Sequence, residues 1–67
     1  MDDLKTFAEA LIRQAMRDTQ EELDAARKSG DKTEEEVLLA IVDIQKKEME
    51  EIKAGRVPHG YRKMFGD

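Results

Sequence analysis

Apolar residues recur along the first half of the chain at steps of three and four. Leu4, Phe7, Ala8, Leu11, Ile12, Ala15, Met16, Thr19, Leu23 and Ala26 fall on one side of a helix turning about 100° per residue. Glu9, Arg13, Arg17, Gln20 and Asp24 fall on the other. Glu9–Arg13 and Asp24–Lys28 are acid-before-base pairs four residues apart, the favourable order on a solvated helix face. The pattern predicts a helix from about residue 3 to 29. Gly30 ends it, since glycine accepts the left-handed conformation past a helix terminus, and Arg27 and Lys28 suit the carbonyls of the last turn.

A second pattern runs from about residue 34 to 54. Val37, Leu38, Ile41, Val42, Ile44, Gln45, Met49 and Ile52 spread over roughly 160° of helix surface at about 100° per residue. Thr33 and Glu36 read as a capping box, with Glu34 and Glu35 adding negative charge in the first turn. Gly55 and Pro58 end the helix. The connection is then residues 30–33, short enough to make the two helices antiparallel neighbours. The expected fold class is all-α: an antiparallel helical hairpin over residues 1–55, followed by a tail over residues 56–67.

The second helix carries a wider apolar arc than one neighbour can cover. A hairpin of this size, without disulfides or metals, commonly completes its core by association. The expectation is a homodimeric four-helix bundle. Leu38, Ile41, Val42, Gln45, Met49 and Ile52 are its expected interface, with Leu11, Ala15, Ile41, Ile44 and Met49 near its core. The alternative is a monomer whose tail folds back, with Tyr61, Met64, Phe65 and Leu39 as a third layer.

Composition refines this picture. The 67 residues hold 12 basic and 16 acidic side chains, a net charge of −4. Residues 1–54 carry −6 and residues 56–67 carry +2, so the sign of the charge reverses after Gly55. The tail also holds Tyr61 and Phe65, two of the three aromatic residues. Arg56, His59, Tyr61, Arg62, Lys63, Met64 and Phe65 are therefore the candidate partner-binding residues, because Tyr and Arg are favoured at interaction hot spots. The expected partners are a second copy of the chain and a protein, the latter contacted by the tail. A nucleic acid is the second class: cations interleaved with aromatic rings can track a backbone and stack bases, but a body at −6 repels phosphate.

Catalytic chemistry has little to draw on. The chain has one Ser (Ser29), one His (His59), two Thr (Thr6 and Thr33) and no Cys. A nucleophile needs a base and an orienting group within reach. No Glu-x-x-His pair occurs, and Gly30, Gly55, Gly60 and Gly66 form no phosphate loop. The expectation is a non-enzymatic interaction or regulatory module without cofactor or metal; the alternatives are a nucleic-acid-binding regulator that uses the tail and a purely structural self-associating bundle. The longest unbroken apolar run, Val37–Val42, is far short of the roughly 20 residues of a membrane span. The first residues lack the cationic flank and apolar stretch of a signal peptide, so a cytoplasmic location is expected.

Overall fold

The computed structural model describes residues 3–66, and the termini 1–2 and 67 lie outside the described residues. Three helices follow in order: α1 (Asp3–Ser29), α2 (Lys32–Lys53) and α3 (His59–Phe65). The two long helices pack against each other as an antiparallel hairpin, and α3 packs back on α1. The result is a rod of 45 × 16 × 15 Å.

The turn between α1 and α2 is tighter than the sequence pattern suggests. Gly30 takes φ 75°, and the Gly30 and Asp31 N–H groups donate to the Arg27 and Ala26 carbonyls at 3.3 and 3.0 Å. These two bonds satisfy the last carbonyls of α1 in the manner of a Schellman cap. The N-cap of α2 is Asp31, not Thr33: the Asp31 carboxylate accepts from the Glu34 N–H at 3.0 Å. Asp is as good a cap as Thr and stands next to the glycine, so the helix begins two residues early and Thr33 falls inside its first turn. Arg27 then donates to the Glu35 carboxylate at 3.0 Å, tying the two helices across the turn.

The C-terminus of α2 repeats the device. Gly55 has φ 89°, and the Gly55 and Arg56 N–H groups donate to the Ile52 and Glu51 carbonyls at 3.0 and 2.8 Å. The Arg56 guanidinium also pairs with the Glu51 carboxylate. Glu51 is held below the usual carboxylate range by the hydrogen bond from Arg56 and then by its charge. On α1, Glu9 and Arg13 stand 3.9 Å apart as expected, whereas Asp24 accepts from Gln20 at 3.1 Å.

The core has two parts. At the turn end, Leu23, Ala26 and Leu38 are buried together. At the open end, Ala8, Ile12 and Ile52 are buried, with Met16, Met49, Val57 and Tyr61 packed around them. A polar layer joins α1 and α2 in mid-hairpin. Buried Thr19 donates its hydroxyl to the Ala15 carbonyl at 2.9 Å and accepts from the Gln45 amide at 3.0 Å. The Gln45 Oε1 atom is buried with no hydrogen-bond partner among the described residues.

Candidate interaction surface

Residues 56–66 are an integral layer of the fold. Pro58 precedes α3, where its fixed φ of −57° and missing N–H suit the start of a helix. The Tyr61 N–H donates to the Pro58 carbonyl at 3.1 Å, and Gly66 closes the helix in a left-handed conformation at φ 98°. Tyr61 packs on the open-end core and donates its hydroxyl to the Glu48 carboxylate at 3.1 Å. Burial, with the Glu48 hydrogen bond and charge behind it, pushes the Tyr61 phenol above its ordinary range. Phe65 meets Phe7 of α1 with ring centroids 5.2 Å apart and tilted by 47°, within the range where aromatic pairs attract.

The candidate tail residues thus divide. Tyr61 and Phe65 hold α3 to the hairpin, Phe65 with nearly half of its surface still exposed, and Arg56 holds the end of α2. Met64 points outward, 66% exposed. His59, Arg62 and Lys63 are also exposed. Glu48, Pro58, Gly60, Tyr61 and Met64 line a shallow groove where α3 meets α2. Leu39 does not contribute to this third layer. It sits about 180° around α2 from Glu48, counting 100° per residue, and it is exposed.

The candidate interface on α2 is also redistributed. Leu38 and Ile52 are buried in the hairpin's own core, Met49 packs beside Ile52, and Gln45 is bonded to Thr19. Val42 is half-buried. These five residues face α1 because they lie within about 40° of the contact line, taking 100° per residue, so they do not form a free face. Of the expected set only Ile41 is exposed, and it is joined by two residues the set left out. Val37 is 52% exposed, Ile41 37% and Ile44 56%. Positions 37, 41, 44 and 48 repeat at steps of four, three and four, which is one stripe of a helix. The stripe ends at Glu48, the residue that holds Tyr61, so it runs along the side of the hairpin on which α3 sits.

The broad arc is therefore two stripes one residue apart. The stripe 38, 42, 45, 49, 52 meets α1, and the stripe 37, 41, 44 meets solvent. The spacing of the residues carries this division; the width of the arc alone does not.

A second shallow groove lies at the turn end, lined by Glu22, Ala25, Ala26, Ser29, Asp31 and Glu34. Its floor is small and its rim acidic. Ser29 donates its hydroxyl to the Ala26 carbonyl at 3.0 Å, an ordinary helix-end contact. Among the described residues, no group of three His, Asp or Glu is placed to hold a metal ion, and no helix is long and apolar enough to cross a membrane.

The chain matches no family model, and the curated proteins and the solved structures likewise gave no match. The surface itself carries the functional reading.

Proposed function

We propose that this chain is a small non-enzymatic interaction module that associates with itself through its helices and presents its C-terminal segment to a protein partner. The observation that carries the reading is the run of exposed apolar side chains, Val37, Ile41 and Ile44, leading to Met64. Clustered apolar exposure beside polar residues is a mark of an interaction site. The C-terminal contact would be made by Met64 with His59, Arg62 and Lys63 around it, since Tyr61 and Phe65 already serve the fold. A nucleic-acid role for the same cations is the second reading, favoured by their positive charge and opposed by the acidic body.

Affinity capture separates the readings. The intact chain should retain a protein that a Met64→Asp variant loses, and that complex should survive nuclease and roughly 0.5 M salt. A complex that vanishes with nuclease and weakens steeply with salt would instead establish the nucleic-acid role. Equal capture by the Met64→Asp variant would remove the C-terminal segment from the account.

A further inference from the structure

The hairpin exposes more surface than its mass requires. Its accessible area is 4921 Å², against about 4,300 Å² for a compact folded monomer of this mass. Its radius of gyration is 13.8 Å, against about 11 Å for a compact domain of this length. The excess area, about 600 Å², approaches the roughly 800 Å² that each partner gives up in a stable interface.

The exposed stripe has a groove at each end, and the two ends of the molecule differ in charge. Glu34 lines the groove at the turn end, and Glu48 lines the groove beside α3. Each is seven residues from Ile41, so each lies about 10.5 Å from it along α2 and on nearly the same line of the helix. One end of the molecule offers a small-residue floor, Ala25, Ala26 and Ser29, inside an acidic rim. The other end offers a protruding Met64, with exposed Arg62 and Lys63 on the same short helix. Residues 18–36 hold eight acidic and three basic side chains, whereas residues 46–67 hold six basic and four acidic. A two-fold axis through Ile41 carries each end onto the other; it sets Glu34 opposite Glu48, so the attraction between the ends comes from the cations of α3.

We propose that the surface formed by Val37, Ile41 and Ile44 receives a second copy of this chain, with the two α2 helices antiparallel about an axis at Ile41. Lys63 of each copy then reaches the acidic rim of the other's groove, and Met64 stays at the edge of the contact, open to the protein partner. The proposal rests on the self-association reading above and specifies its geometry. Such an isologous contact is closed, as a two-fold interface must be. It buries the apolar stripe at the centre and leaves the charges at the rim, the usual anatomy of an interface.

The chain contains no cysteine, so introduced thiols report contacts cleanly. Ile41→Cys should couple to its twin through a short bis-maleimide, while Leu39→Cys, on the opposite side of α2, should not. A chain with Ala25→Cys should couple to a chain with Lys63→Cys when the two are mixed. Ile44→Lys should raise the dimer dissociation constant about 30-fold or more, the loss typical of a central apolar contact, with helicity by circular dichroism unchanged. Lys63→Glu should weaken the dimer, and adding Glu34→Lys should restore it. Two outcomes would overturn the proposal and differ in what they leave. A helical monomer at every concentration would remove self-association altogether. A dimer in which Ile41→Cys fails to couple and Ile44→Lys changes nothing would keep self-association and reject this face.

Discussion

The open end and the turn end of the hairpin solve the same packing problem differently. At the open end, Ala8, Ile12 and Ile52 are covered by three elements, because Val57 and Tyr61 return over them and Phe65 packs against Phe7. At the turn end, Leu23, Ala26 and Leu38 are covered by two elements, and the flank of α2 beside them is bare. The difference teaches why so short a chain has both a docked third helix and an exposed apolar stripe. Seven residues of α3 are enough to roof one end of a 45 Å rod and too few to roof the rest. What α3 does for the open end, a second copy would do for the middle and the turn.

Core truncation should separate the two ends most strongly. Ile52→Ala and Leu38→Ala should each cost about 2–5 kcal/mol in chemical denaturation, the range for a buried aliphatic side chain cut to Ala. Ile52 lies against residues that carry α3, so Ile52→Ala should also speed amide exchange in residues 59–65. Leu38→Ala should leave that exchange unchanged. Equal effects on α3 would mean that the two clusters are not independent.

The polar layer between the ends comes next. Thr19→Val removes the acceptor of the Gln45 amide and leaves that amide unpaired, a cost of about 1–3 kcal/mol. Replacing both residues, Thr19→Val with Gln45→Leu, should recover most of that loss, because no buried polar group then lacks a partner. A double variant as unstable as the single one would show that the loss comes from packing at the two positions and not from the unpaired amide.

The roof of the open end gives smaller effects. Phe65→Ala loses the ring contact with Phe7, worth about 0.5–1.5 kcal/mol beyond its buried area, and should free α3 before the hairpin melts. Tyr61 gives the smallest effect and the sharpest signal, since it is the only tyrosine. Its phenol titrates higher in the folded chain than in the unfolded one, because burial and the Glu48 carboxylate disfavour the phenolate. Its contribution to stability is therefore complete below the ordinary phenol range and is lost as pH rises through the folded value. Ultraviolet absorbance should show this late ionisation, and α3 should detach with it. Glu48→Gln should bring the ionisation to lower pH.

The helical hairpin was legible because glycines mark its ends and because period-3.6 patterning is strong in α1. The N-cap is ambiguous in the sequence because Asp31 and Thr33 are both good caps, and only the backbone path after Gly30 selects the first. The surface was less legible. Val37 and Leu38 are neighbours in sequence with similar chemistry, yet one is half-exposed and the other buried. Their fates depend on the line of contact with α1, which Thr19 and Gln45 mark and which the apolar arc alone does not. The placement of α3 was legible as a set, Tyr61, Met64 and Phe65 at helical spacing. Which members touch the hairpin depends on Phe7 and Glu48, partners more than a dozen residues away in the chain.

Sedimentation equilibrium of the intact chain beside its Ile44→Lys variant, at about 5–100 µM, tests the central claim most directly. The intact chain should move from the 7.7 kDa of one copy toward twice that mass as concentration rises, while the variant stays at one copy with full helicity. Two helical proteins of the same mass at every concentration would contradict the account, because the Val37, Ile41 and Ile44 stripe would then join nothing.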